Sequence, residues 1–208
     1  MHIKTIPVGQ LETNCYVVAD ETTRECAVID PGADSNAILD YIESSNLTVR
    51  AIFITHAHFD HITALPEVER ETGAPIYVNE RELEGDNQRA ELKLRSNDNL
   101  RFYADGDVVT VGSLNFEVLD TPGHTLGSVC LRCGDALFTG DTLFRDSCGR
   151  TDIGGDMDLM LDSLKRLSAL DGDYEVFPGH AEATTLDNER RFNYYVRYAN
   201  DDLPALRD

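Results

Sequence analysis

A chain of 208 residues, at about 150 per domain, is expected to form a single domain spanning residues 1–208 with a sizeable core. Its 41% hydrophobic and 27% charged content argues against disordered, collagen-like and membrane classes. The formal net charge of −20 repels phosphate backbones, so neither nucleic acid nor an anionic membrane is an expected partner.

From the N-terminus, short apolar or alternating runs predict strands at Ile3–Val8, Cys15–Ala19 and Cys26–Ile29. A helical pattern follows at Asn36–Ser44, then a strand at Ala51–Ile54, a helix at Ala64–Thr72 and a strand at Pro75–Val78. Glu80–Leu100 is the most charged and least periodic stretch, read as surface helix and loop without an assigned role. Strands return at Val108–Val111, Leu114–Leu119, Ser128–Arg132 and Ala136–Phe138, followed by a helix at Met157–Leu167, a strand at Glu175–Phe177 and a helix at Asn188–Tyr198. Successive strands mixed with strand–helix alternation predict an α+β architecture, two mixed sheets between helical layers.

The longest apolar runs, such as Ala51–Ile54, fall far short of the roughly 18 residues a spanning helix needs. Met1-His2-Ile3-Lys4 has no basic segment followed by an apolar one, so a cytoplasmic location is expected. The five cysteines, odd in number, are expected as reduced thiols. Cys130-Leu131-Arg132-Cys133 lies in an alternating segment and has no second cysteine pair, so it reads as strand rather than as a redox or zinc motif.

Three of the six histidines stand in Thr55-His56-Ala57-His58-Phe59-Asp60-His61, directly after a predicted strand. His56 and His58, two apart in extended chain, project to one side, and Asp60 and His61 turn to face them. At this composition such a string arises by chance with a probability on the order of 10⁻³ or less. His124 and His180 each follow a strand and a Pro-Gly turn, Thr121-Pro122-Gly123-His124 and Phe177-Pro178-Gly179-His180. The shared frame places both as metal ligands on one rim. Thr139-Gly140-Asp141-Thr142 delivers a carboxylate to that rim, and only His2 is left without a role.

Together with Val28-Ile29-Asp30-Pro31-Gly32, Thr125-Leu126-Gly127-Ser128 and Gly149-Arg150-Thr151-Asp152, these motifs resemble the metallo-β-lactamase superfamily over nearly the whole chain. The branch they look most like is the small, single-domain glyoxalase II (hydroxyacylglutathione hydrolase) type. The resemblance implies an αβ/βα four-layer sandwich with two divalent metal ions at the rim between the sheets. His56, His58 and His124 would hold the first metal, and Asp60, His61 and His180 the second, with Asp141 bridging them. Zinc is the first choice, and the donor set also suits iron or manganese. By the same resemblance a small-molecule thioester is hydrolysed by a metal-bridging hydroxide, with Asp60 and Asp141 catalytic. Because both Asp141 and His61 are kept, β-lactam hydrolysis is disfavoured.

Asp30, at a strand end, either orients a ligand imidazole or caps its own turn. Arg150 matches a basic position that contacts the thiol-bearing peptide in similar enzymes, and Cys148 stands beside it. Glu182 occupies the place where the glyoxalase II pattern carries a tyrosine, and the basic contacts of the larger enzymes' C-terminal helical domain have no counterpart. Asn193, Tyr194 and Tyr195 read as helix packing. Alternatives on the same scaffold are a persulfide dioxygenase-like activity, with one iron on His56, His124 and Asp141, and a lactonase. The expected assembly is a monomer or homodimer.

Overall fold

The computed structural model describes residues 1–84 and 98–203. The first half contributes β1 (His2–Val8), β2 (Thr13–Ala19), β3 (Glu25–Ile29), α1 (Ser35–Ser44), β4 (Thr48–Phe53), α2 (Phe59–Ile62), α3 (Leu65–Thr72), β5 (Ile76–Asn79), a 3₁₀ turn (Glu80–Leu83) and β6 (Leu100–Tyr103). The second contributes β7 (Val108–Val111), β8 (Leu114–Asp120), β9 (Val129–Cys133), β10 (Ala136–Gly140), β11 (Leu143–Phe144), β12 (Ser147–Cys148), α4 (Met157–Ser168), β13 (Glu175–Pro178), β14 (Thr184–Thr185), α5 (Leu186–Phe192) and α6 (Tyr194–Ala199).

Of these strands, β11 and β12 pair as a separate hairpin, and the other twelve form two six-stranded sheets, ordered β1-β2-β3-β4-β5-β6 and β14-β13-β10-β9-β8-β7. Both are mixed: β1 to β3 pair antiparallel and β3 to β6 parallel, while β13 joins β10 parallel in an otherwise antiparallel sheet. The two-residue period of a strand divides the apolar side chains between three interiors. On β2, Cys15 and Val17 face the helices carrying Ile38, Ile42 and Val68. Tyr16 and Val18, between them in sequence, meet Phe53, Phe116, Leu131 and Phe138 between the sheets. Cys130 and Leu137 face the opposite way, onto Met160, Leu164, Leu167 and Val196 of α4 and α6. Three interiors make four layers, helix, sheet, sheet and helix, as the sequence predicts.

Several expected elements are corrected. Asn188–Tyr198 is two helices rather than one, parted at Asn193, whose φ −67 and ψ 121 are extended. The Asn193 side chain accepts from the Tyr195 and Val196 amides, and its amide group donates to Phe144 O, Ser147 O and Glu189 Oε2. Asn193 therefore caps the second helix and braces the β11–β12 hairpin, a role that helical periodicity does not reveal. Asp60 and His61 lie on the short helix α2 rather than in a turn. Within Glu80–Leu100, only the 3₁₀ turn, Glu84 and residues 98–100 are described, and the remainder of that predicted stretch lies outside the described residues. All five cysteines are free thiols. Among the described residues no helix is long and apolar enough to cross a membrane.

Candidate metal centre

Strand β4 runs into Ile54-Thr55-His56-Ala57-His58, and α2 begins at once with Phe59. The carboxylate of Asp30, at the end of neighbouring β3, fixes this exit. Its Oδ1 accepts the Thr55 amide at 2.8 Å, and its Oδ2 accepts the Thr55 hydroxyl at 2.6 Å. Asp30 Oδ2 also lies 2.9 Å from His61 Nδ1. With Nδ1–H donated there, Nε2 of His61 faces Asp60 Oδ2 at 3.5 Å and Asp141 Oδ1 at 3.4 Å.

His124 is held in the same manner, with Nδ1 2.6 Å from the carbonyl oxygen of Arg150. Its Nε2 then faces His58 Nδ1 at 2.8 Å and Asp141 Oδ2 at 3.5 Å. His180 Nδ1 meets Leu11 O at 3.1 Å, and its Nε2 lies 3.2 Å from Asp60 Oδ2 and 3.6 Å from Asp141 Oδ2. Asn14 anchors that loop by donating to Pro178 O and Ala181 O, and Thr13 donates to Asp60 Oδ2 at 3.0 Å. Gly179 is required by proximity, because a Cβ there would overlap Asp141 Oδ1 and crowd the His61 ring.

Two groups of ligand atoms result, His56/His58/His124 and Asp60/His61/His180, the atoms within each lying within 4.8 Å of one another. Asp30 also approaches His56 and His61, but its oxygens are already engaged by Thr55 and His61. Asp141 stands between the two groups, Oδ1 toward His61 and Oδ2 toward His124 and His180. Among the described residues, the buried side-chain atoms without a hydrogen-bond partner are His56 Nε2, His61 Nε2 and Asp141 Oδ1. Buried polar atoms are nearly always partnered. Orphans gathered in one cluster of imidazole and carboxylate donors therefore fit divalent metal ions.

Protonation differs between the two groups. Burial and the surrounding histidines hold His56 well below the ordinary histidine value. Burial and His124 bring His58 down to about 4, and burial lowers His124. Their lone pairs are thus free of protons near neutrality. For His61, burial opposes the charged form but the Asp141 and Asp30 carboxylates outweigh it, and its pKa is raised. The hydrogen bond to Asp60 raises His180. Burial disfavours ionised Asp60 and Asp141, yet hydrogen bonding to His180 in the first case and the His61 charge in the second keep both low.

The guanidinium of Arg150 lies exposed in a bidentate pair with Asp152, Nε–Oδ1 and Nη2–Oδ2 both at 2.7 Å. What this residue brings to the site is its backbone carbonyl. Cys148 packs against the outer core of the second sheet, and burial pushes its thiol up to about 11. Glu182 pairs with Arg145 at 2.6 Å. Thr13, Asn14, Thr55 and Glu82 brace the site without having been singled out in the sequence. Thr55, adjoining the histidine string, carried the clearest signal.

Residues 8–180 match the family model described as the metallo-beta-lactamase superfamily, and the chain belongs to that superfamily of metal-dependent hydrolases. Among its relatives, the probable metallo-hydrolase YqgX of Bacillus subtilis is 34% identical, the match covering 94% of this chain and 98% of that protein. The hydroxyacylglutathione hydrolase GloC of Haemophilus influenzae is 31% identical over the same shares. Among solved structures, the BLEG-1 B3 metallo-beta-lactamase superposes with a TM-score of 0.83 at 34% identity, over 94% of this chain and 99% of that one. ETHE1 from Myxococcus xanthus gives 0.80 at 31% identity, over 99% and 93%. TTHA1623, solved in a di-iron-bound form, gives 0.80 at 33% identity, over 92% and 99%. The four-layer architecture is thus the metallo-beta-lactamase fold.

Proposed function

We propose that the protein is a binuclear metal-dependent hydrolase of small-molecule thioesters, similar in activity to glyoxalase II. The observation that carries the metal assignment is Asp141, whose carboxylate stands between the two ligand groups, Oδ1 toward His61 and Oδ2 toward both His124 and His180, while His56 Nε2 and His61 Nε2 point inward unpartnered. The thioester is supported by the likeness to GloC, 31% identical across nearly the full length of both chains.

His56, His58 and His124 would hold one ion, Asp60, His61 and His180 the other, and Asp141 both. Divalent ions bound there supply a water of lowered pKa and positive charge for a carbonyl oxygen. The chain's own residues do the rest. Asp60, kept ionised, accepts a hydrogen bond from the attacking water and orients its lone pair toward the carbonyl carbon. The Thr13 hydroxyl fixes that carboxylate on one oxygen, Oδ2. Asp30 and the Arg150 carbonyl hold the His61 and His124 rings so that their Nε2 lone pairs face the centre.

A cleft of about 310 Å³ adjoins Asp60 and is walled by Val8, Leu11, Ala33 and Phe59. Of these, Leu11 and Phe59 are exposed large apolar side chains. An apolar wall beside the reacting carbonyl receives the acyl substituent and excludes water from it.

The test is elemental analysis of protein purified without added metal, followed in the same sample by lactoylglutathione hydrolysis. Two metals per chain with turnover are expected. One iron per chain without turnover would overturn the reading and favour sulfur oxidation through His56, His124 and Asp141, checked by oxygen uptake with a persulfide. The likeness to ETHE1 supports keeping that assay, and the likeness to BLEG-1 adds a β-lactam to the panel.

A further inference from the structure

Glu82 is a charged residue in the interior, 2% exposed, on the 3₁₀ turn after β5. Its carboxylate joins two loops that otherwise share one backbone hydrogen bond among the described residues, Val129 N–H to Thr55 O at 3.0 Å. Oε2 accepts the Ala57 amide at 2.6 Å, between His56 and His58 in the chain. Oε1 accepts the hydroxyl of Thr125, which adjoins His124, at 2.5 Å and the amide of Gly127, three residues past His124, at 3.0 Å. Gly127 allows this approach, since a Cβ there would stand 2.7 Å from Glu82 Oε1. Every contact therefore falls on one of the two loops that carry His56, His58 and His124.

The other group of ligands has separate supports: Thr13 on Asp60, Asp30 on His61, and Asn14 on the loop of His180. We propose that Glu82 is a positioning residue that sets the spacing between the His56–His58 loop and the His124 loop. By that spacing it governs metal affinity at this group and not at Asp60/His61/His180. The inference rests on the metal-centre reading above. A carboxylate suits the task because all three of its partners are donors, so it accepts from both loops at once. A glutamine at this position keeps the shape but has one oxygen. If that oxygen stays on Thr125 and Gly127, its NH₂ meets the Ala57 N–H donor to donor and pushes the His56–His58 loop away.

The test is chelator competition on purified wild type, Glu82→Gln and His58→Ala, with metal per chain measured by elemental analysis and the melting temperature of each metal-free protein recorded. Wild type is expected to release two equivalents. Glu82→Gln should weaken one of them by about 10- to 100-fold, the usual range for a residue that orients ligands. That equivalent should be the one weakened by His58→Ala, with the other unchanged and the metal-free circular dichroism spectrum retained. Glu82→Asp, one methylene too short to span both loops, should weaken the same equivalent. If Glu82→Gln accumulates unfolded, Thr125→Val, which removes one donor to Oε1, should weaken the same equivalent to a smaller degree. Unchanged affinity at both sites, or equal loss at both, would overturn the role given to Glu82 while the metal centre stands. A wild-type chain that holds no metal would overturn the metal centre and this inference together.

Discussion

Asp30 and His61 are both buried, and the Asp30 Oδ2 that lies 2.9 Å from His61 Nδ1 also accepts the Thr55 hydroxyl. One carboxylate thereby aims a ring on α2 and fixes the exit of β4. Asp30→Asn leaves a single acceptor oxygen. With that oxygen on the Thr55 amide, the new NH₂ faces His61 Nδ1 and drives the ring to its other tautomer, with the proton on Nε2 where the lone pair is needed. Metal affinity should fall by about 10- to 100-fold, read by chelator competition. An unchanged affinity would show that His61 is oriented by something other than Asp30.

Asp141 brings its two oxygens toward both ligand groups from the end of β10, so its loss should be felt at both sites at once. Asp141→Asn is expected to lower metal content below two per chain and to cut turnover by orders of magnitude. Near wild-type metal content and rate would remove the bridging assignment.

Much of this centre is legible in the sequence because a metal site draws on rare residue types at strand ends. The H-x-H-x-D-H string and the two Pro-Gly-His turns mark the rim, and the short apolar runs of β2, β3 and β4 mark strands, though only the fold shows which interior each of their side chains enters. Asp30 was legible as a position, but only the fold shows that its carboxylate reaches His61. Glu82 was not legible: it lies in a charged stretch where buried and exposed glutamates look alike, and its partners are 25 to 45 residues away. Asn193 was hidden for a different reason. A side chain that caps one helix while donating to a distant hairpin leaves the apolar period of the surrounding segment intact.

Protons and metal ions compete for the same nitrogen lone pairs, so the two ligand groups should empty at different pH. Burial holds His56, His58 and His124 below the ordinary histidine value, His58 at about 4, so acid competes less for their nitrogens. His61 and His180 have raised values, so protons already compete for their nitrogens near neutrality. As pH falls from 8 to 5, the equivalent held by Asp60/His61/His180 should be released first. Metal-release titrations on wild type and His58→Ala would assign the steps, and simultaneous loss of both equivalents would contradict the ordering.

The surface charge predicts a response to salt. With 38 acidic against 18 basic side chains, the compact state carries more self-repulsion than the expanded unfolded chain. Raising KCl from 0.1 to 1 M shortens the screening length from about 10 to about 3 Å. Relief of about 1–2 kcal/mol would raise the melting temperature by about 2–8 °C for a chain of this size. Exposed pairs such as Arg50–Glu25 are weakened by the same salt, but each contributes little. A melting temperature that falls with KCl in scanning calorimetry would show that the pairs outweigh the repulsion.

Arg150 and Asp152 give the sharpest test of substrate recognition because the two substitutions should act with opposite sign. The guanidinium is held at both ends by Asp152, while the Arg150 carbonyl holds His124. If the guanidinium binds a carboxylate of the thiol half of the substrate, that carboxylate must displace Asp152, and the internal pair weakens binding. Arg150→Ala keeps the backbone carbonyl, so it should raise KM with little change in kcat. Asp152→Ala releases the guanidinium and should lower KM. Both are read in steady-state hydrolysis of a carboxylate-bearing thioester beside one without a carboxylate, whose KM neither variant should move. An unchanged KM in Arg150→Ala would take the guanidinium out of recognition and leave its residue with one task, the carbonyl that orients His124.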